Sequence, residues 1–128
     1  MGIKITRDED QDLTIHDVTG PVSEEEMYDA LENFYKREST TLLLWDMSQT
    51  DVSHVTTDIL QRFISRSVEL GFHRQGGRTA VFASEDLQYG LARMSEVYAE
   101  MESAPYSFSV FRSRQEALLW LTSDDDLS

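Results

Sequence analysis

The chain has 128 residues, of which 24 are acidic and 11 basic, so its formal net charge at neutral pH is −13. This length fits one domain with one core, and the negative field repels phosphate backbones, which excludes nucleic acid as the expected partner. Cysteine is absent, so disulfides and thiolate chemistry are excluded too. The start of the chain has no apolar stretch of signal-peptide length, and the longest apolar run, 42–45, is too short to span a membrane, so we expect a cytoplasmic protein without a membrane span.

The first third of the chain is predicted to form a β-hairpin followed by a helix. Apolar and polar side chains alternate over residues 3–6 and again over 13–18, which is typical of two half-buried strands joined by an acidic turn. Ser23 and Glu26 have the spacing of a capping box, so a helix begins there. Its apolar face continues to about Glu38.

The middle of the chain is predicted to continue with a strand and a second helix. Residues 41–45 are apolar on both faces, as expected for a central strand that is covered on both sides. The polar residues 47–55 are expected to form a loop. Thr56 or Thr57 then caps the helix, which ends near Gly71.

A further strand over residues 78–83 leads into a third helix, which Ser84 is expected to cap. Gly90 lies inside this helix at a cost in stability, which suggests that another element approaches it closely. Large apolar side chains recur at helical spacing and predict the buried face, which consists of Leu87, Leu91, Met94, Tyr98 and Met101.

The end of the chain is predicted to add an edge strand and a fourth helix. Pro105 opens the strand, and Ser113 with Glu116 repeats the capping box. The complete order is ββαβαβαβα, which favours right-handed crossovers and an α/β fold with a mostly parallel sheet and helices packed on it. We expect a single domain over residues 1–123, followed by an acidic tail over 124–128.

Several segments resemble small bacterial STAS/SEC14-like (SpoIIAA-like) proteins. They are the strand 78–83 with the helical segment 86–94, the strand end Trp45-Asp46, and the closing residues 110–112 followed by 116–121. The resemblance covers nearly the whole chain and implies strands laid out in sequence order with helices packed against them. In the anti-sigma-factor antagonists of this family, a serine or threonine at a helix start after the third strand is phosphorylated. The matching stretch here, 53–58, keeps hydroxyl side chains but lacks the family's Asp-Ser-Ser-Gly-like signature.

A candidate binding site lies where the middle strands end. In a parallel sheet the residues after the third and fourth strands share one edge with the starts of two helices, whose free N–H groups attract a ligand, an anion or a phosphorylated hydroxyl. The alternative is that the threonines and Ser84 are ordinary helix caps. The candidate residues at this edge are Asp46, Ser48, Ser53, Thr56, Thr57 and Ser84.

Tyr89 and Arg93 are a second part of this candidate site. They lie one turn apart on the third helix and can present a hydroxyl and a guanidinium to a ligand or to a second subunit. The alternative is a surface ion pair between Arg93 and a neighbour such as Glu96 or Asp86.

The sequence predicts no metal, no cofactor and no enzymatic activity. His16, His54 and His73 lie on different elements without metal-ligand spacing. The acidic turn lacks the glycine and the glutamate that a calcium loop needs at its sixth and twelfth positions. A nucleophilic serine would need a base within reach, and only His54 or His73 is available for that role.

We therefore predict a non-catalytic regulatory or protein-interaction module. A small-molecule or lipid-binding module, as the SEC14-like relatives imply, is the alternative. A homodimer is expected if most helices lie on one face of the sheet, because the other face then needs cover.

Overall fold

The structure is a computed structural model that describes residues 2–37 and 39–123. Its elements follow the predicted order ββαβαβαβα, and the predicted α/β fold is confirmed. The acidic tail, 124–128, and Glu38 lie outside the described residues. The strands are β1 (Gly2–Asp8), β2 (Leu13–Gly20), β3 (Leu42–Thr50), β4 (Arg78–Phe82) and β5 (Ser107–Phe111), and the helices are α1 (Glu24–Arg37), α2 (Thr57–Leu70), α3 (Asp86–Met101) and α4 (Arg114–Thr122).

The five strands form one sheet in sequence order. β1 pairs antiparallel with β2, and the pairs β2–β3, β3–β4 and β4–β5 are parallel. The ends of β2 to β5 therefore meet at one edge, together with the beginnings of all four helices. We call this edge the carboxyl edge.

Helices cover both faces of the sheet. Three helices, α1 to α3, pack on one face, where Leu31, Phe34 and Trp45 belong to the larger core. On the other face α4 is the one helix among the described residues that packs over β3 to β5, and its Ala117 and Leu121 close a smaller core. The condition on which a homodimer was expected, most helices on one face, is met by the described residues, although α4 covers β3 to β5 on the other face.

The third strand is longer than predicted. Residues 47–50 were expected in a loop, but β3 continues to Thr50 because β2 pairs with it as far as Gly20. The register shifts between Asp17 and Thr19, which marks a bulge in β2. β4 ends its pairing at Asp46, so the last residues of β3 project beyond β4.

The buried face of α3 also differs from the prediction. Leu87 and Met101 are 57% and 71% exposed, and no side chain packs within 4 Å of the position a Cβ would take at Gly90. The predicted close approach at Gly90 is therefore wrong. The buried face consists of small side chains and one amide, which let the helix lie close to the sheet. These residues are Gln88, Ala92, Ser95 and Ala99.

The helix starts are set by local side-chain bonds. Ser23 and Glu26 form the predicted capping box at α1, and Thr56 caps α2 by accepting from the N–H of Ile59 at 3.2 Å. The prediction that Ser84 caps α3 is wrong, because the N-cap residue is Glu85. None of the helices in the described ranges has the length and apolar character that a bilayer crossing requires.

Candidate interaction site at the carboxyl edge

The parallel pairing of β3 and β4 determines which candidate residues share the carboxyl edge. Asp46 lies opposite Phe82, so Ser48 and Ser84 each follow that pair by two residues on neighbouring strands. Side chains alternate along β3, and Asp46 and Ser48 are on the face that α4 covers. The hydroxyls at the start of α2 and the residues of α3 belong to the opposite face. The candidate residues are therefore divided between two sites.

Asp46 is part of an ion network with α4. One of its oxygens accepts from the backbone N–H and the hydroxyl of Ser48, at 3.0 and 2.6 Å, and the other accepts from Arg114. Arg114 also donates to Asp17 at 2.8 Å, and the bonds to these two carboxylates raise the pKa of its guanidinium. Asp46 is only 7% exposed, so this network joins α4 to the strand ends and holds Asp46 away from solvent.

The loop before α2 carries exposed hydroxyls. The side chain of Thr56 is occupied by its cap bond, whereas Thr57 is the first residue of the helix and is exposed. Ser53 is exposed as well, and its backbone N–H donates to Asp51 at 2.9 Å. Hydrogen bonds from Ser53 lower the pKa of the Asp51 carboxyl, which is therefore a stable negative charge at this edge.

Gln88, which was not among the predicted site residues, ties α3 to the end of β3. Its side-chain amide donates to the carbonyls of Thr50 and Ser48, at 3.0 and 3.3 Å, and its carbonyl accepts from the N–H groups of Ser84 and Glu85, both at 3.2 Å. The side chain is buried. Its position three residues after the N-cap Glu85 is the signal that the sequence offered.

A cleft of about 340 Å³ opens beside Gln88, between the end of β3 and the start of α3. Asp51 and Glu85 contribute carboxylates to it, and Leu87 contributes an apolar side chain that is 57% exposed. The cleft thus combines an apolar contact with negative charge. Such a surface suits a partner that presents an apolar side chain among basic ones.

Tyr89 and Arg93 have different partners within the domain. The guanidinium of Arg112 lies 4.1 Å from the centroid of the Tyr89 ring, in cation–π geometry. Arg93 instead lies 3.4 Å from Glu96, which is the surface ion pair considered as the alternative. Arg112 also pairs with Asp86 at 3.0 Å, so it links the end of β5 to the start of α3.

An apolar cavity of about 130 Å³ lies behind the loop, between the sheet and α2. Trp45 and Met47 line it from β3, and Leu60 and Phe63 line it from α2. His54 lies at its margin, where its Nε2 is hydrogen-bonded to the carbonyl of Val22 at 3.0 Å.

The histidines stay apart in the fold. His16 is fully buried in the core, His54 lies in the loop before α2, and His73 is exposed beyond α2. Within residues 2–37 and 39–123, no three histidine or acidic side chains are grouped so that they could hold a metal ion.

The fold and this edge define an α/β domain of SpoIIAA-like architecture, as the sequence resemblance predicted. An uncharacterized protein of the DUF3478 family from Shewanella loihica PV-4, which has a SpoIIAA-like fold, is 22% identical to this chain; the match covers 94% of this chain and 92% of that one, with a TM-score of 0.54. The anti-sigma factor antagonist SpoIIAA in its unphosphorylated form is 11% identical over 98% of this chain and 100% of its own, with a TM-score of 0.59. No protein-family model and no curated protein matches the sequence. The likeness concerns the fold.

Proposed function

We propose that this protein is a non-catalytic interaction module that binds a protein partner at the carboxyl edge. The observation that carries the proposal is the cleft in which exposed Leu87 lies beside the carboxylates of Asp51 and Glu85. Ser84 directly precedes Glu85 in the chain and is exposed, and Ser53, Thr56 and Thr57 are exposed in the segment that follows Asp51. SpoIIAA, which has the same fold, is itself an antagonist of another protein.

The charge of this edge determines the kind of partner. Asp58 in the first turn of α2 and Glu24 in the first turn of α1 add to the carboxylates of Asp51 and Glu85. Together with the net charge of −13, they favour a partner with a basic surface over a free anion.

His54 and the hydroxyl of Thr56 are both engaged in other hydrogen bonds, which supports a binding role. The Nε2 of His54 is bonded to the carbonyl of Val22, and the Thr56 hydroxyl accepts the N–H of Ile59. For covalent catalysis the histidine would instead be hydrogen-bonded to a nucleophilic hydroxyl.

The partner is sought by photo-crosslinking in the cells that make the protein. A photoreactive amino acid replaces Leu87, and the control places it at Leu119 on α4, which is 61% exposed. We expect one product specific to position 87. The same product from both positions, or none from position 87, would refute the proposal.

The captured partner is then purified and titrated with variants of matched charge. Asp51→Asn with Glu85→Gln is expected to weaken binding about tenfold and to reduce its salt dependence. Glu9→Gln with Asp10→Asn removes the same charge from the β1–β2 turn and is expected to leave binding unchanged. Equal effects of the two double variants would show that only net charge matters.

The apolar cavity supports a second candidate function, the binding of a small apolar molecule. Its volume of about 130 Å³ is close to that of engineered apolar cavities of roughly 150 Å³ that bind benzene or xenon. Pressurised xenon should therefore shift the NMR resonances of Trp45 and Phe63, and Leu60→Trp, which fills the space, should abolish the shift. Unchanged spectra of the wild-type protein under xenon would exclude this candidate.

A further inference from the structure

An apolar stripe runs along the solvent side of α3. It consists of Gly90, Met94, Val97 and Met101, whose successive spacings are four, three and four residues. Leu87 lies three residues before Gly90. This is the heptad spacing by which one helix packs along another. We call these four residues the α3 stripe.

The α3 stripe faces away from the domain. The side chains that α3 buries lie on its opposite face, and Val97 and Met101 are 52% and 71% exposed. Gly90 is exposed too, with open space where a Cβ would be. Glycine is a poor helix former, so an exposed glycine within an apolar stripe calls for a close neighbour outside the domain.

We propose that the neighbour is a second copy of this chain, with the two α3 helices packed antiparallel about a twofold axis. In this register Met94 lies opposite Val97 of the second copy, and Gly90 lies opposite its Met101. The flexible Met101 side chain then fills the gap that each glycine leaves. In a parallel arrangement Gly90 would face Gly90 and leave a gap.

The charges beside the α3 stripe fit the same arrangement. Arg93 and Glu100 flank one side of it. The antiparallel register places Arg93 of each copy beside Glu100 of the other, so the twofold axis generates two complementary pairs. The exposed ion pair that Arg93 makes with its own Glu96 is weak and does not prevent this contact.

The other side of the α3 stripe is apolar and is also self-complementary. Leu91 and Tyr98 flank it there, and both are partly exposed. In the antiparallel register Leu91 of one copy lies beside Tyr98 of the other. The net charge of −13 on each copy opposes association. The dimer is therefore weak at low salt and strengthens as salt screens the repulsion.

Sedimentation equilibrium of the full chain from micromolar to millimolar concentration, at low and high salt, tests the dimer. We expect the dimer fraction to rise with concentration and with salt. Val97→Asp is expected to raise the dissociation constant of the dimer by about tenfold or more. The matched control Leu119→Asp introduces the same charge at an exposed apolar site on α4 and is expected to have no effect beyond that of its charge.

Charge-reversal variants test the register. Arg93→Glu and Glu100→Arg each create two like-charge pairs across the axis, so each variant alone is expected to be monomeric. A mixture of the two restores both ion pairs and is expected to form a heterodimer. A monomeric wild type at millimolar concentration, a dimer that survives Val97→Asp, or a mixture that stays monomeric would each overturn the proposal.

Discussion

His16 packs against Trp45 in the larger core, with 4.1 Å between the centroids of the two rings. The His16 side chain is fully buried, and neither ring nitrogen has a hydrogen-bond partner among the described residues. Burial lowers the pKa of His16 to about 4, although the nearby charge of Asp17 opposes this shift. The histidine is therefore neutral in the folded protein at neutral pH.

The first prediction is that His16 makes the fold sensitive to acid. The unfolded chain protonates His16 near its ordinary pKa of about 6.5, whereas the folded protein does so only near 4. The contribution of His16 to the free energy of unfolding is full above the unfolded pKa and is lost as the pH falls from about 6.5 towards 4. The total loss is roughly 3 kcal/mol. Urea unfolding of wild type and His16→Leu over this pH range measures this loss as the difference between their slopes of unfolding free energy against pH.

The control for His16 is His73→Leu, at an exposed position. It is expected to keep the acid sensitivity of the wild type, because His16 is still present. A His16→Leu variant that loses stability with falling pH as steeply as the wild type would contradict the assignment.

The second prediction concerns the bonds that Gln88 makes at the carboxyl edge. Gln88→Leu leaves two carbonyls and two N–H groups without their partner, and we expect a loss of about 2–4 kcal/mol in the free energy of unfolding. Gln115→Leu makes the same change at an exposed site on α4 and is expected to stay within about 0.5 kcal/mol of the wild type. Thermal and chemical unfolding compare the two, and similar values would rule out an anchoring role for Gln88.

The third prediction concerns Arg74, a cation that is only 5% exposed. Its guanidinium donates to the hydroxyls of Tyr35 and Thr79 at 3.0 and 2.9 Å, and to the carbonyls of Thr41 and Arg78 at 2.9 and 3.2 Å. It also lies 4.9 Å from the centroid of the Tyr106 ring.

Lysine carries the charge of Arg74 but lacks its planar fork of donors. We expect Arg74→Lys to lower the free energy of unfolding by about 2–4 kcal/mol, because several of these acceptors lose their donor. Arg7→Lys on the exposed side of β1 is the control and is expected to change it by less than about 0.5 kcal/mol. Chemical unfolding measures both, and an unaltered midpoint for Arg74→Lys would contradict the prediction.

The fourth prediction separates two adjacent threonines. Thr56 accepts the N–H of Ile59, whereas Thr57 begins the helix without that role. Thr56→Ala is therefore expected to cost about 1 kcal/mol in the free energy of unfolding, and Thr57→Ala no more than about 0.5 kcal/mol. Hydrogen exchange of the first turn of α2 should rise only in Thr56→Ala. The reverse order would show that the cap is Thr57.

The predictable parts of this fold depend on interactions between near neighbours in the sequence. The capping box of Ser23 and Glu26 joins residues three apart. In β2 successive side chains point to opposite faces of the sheet, which is again a relation between neighbouring residues. The Gly71 end of α2 is likewise local. The candidate edge was predictable for the same reason, since strand order and parallel pairing follow from the alternation of strands and helices.

Other features depend on which distant segments come together. The last residues of β3 form a strand because Gly20 pairs with Thr50, a contact between residues 30 apart. The face of α3 was misassigned by one residue, because apolar character alone did not show that Gln88 and Ala92 fit against the sheet and Leu87 does not.

The sequence by itself thus determined the order of elements and most helix starts, because hydrophobic period and capping act over a few residues, and its resemblance to a known family implied the SpoIIAA-like fold. Only the tertiary structure decided that Asp46 belongs to an ion network with Arg114, that Gln88 joins two elements, and which side of α3 meets solvent. Those outcomes depend on distances between segments far apart in the chain, which no local pattern encodes.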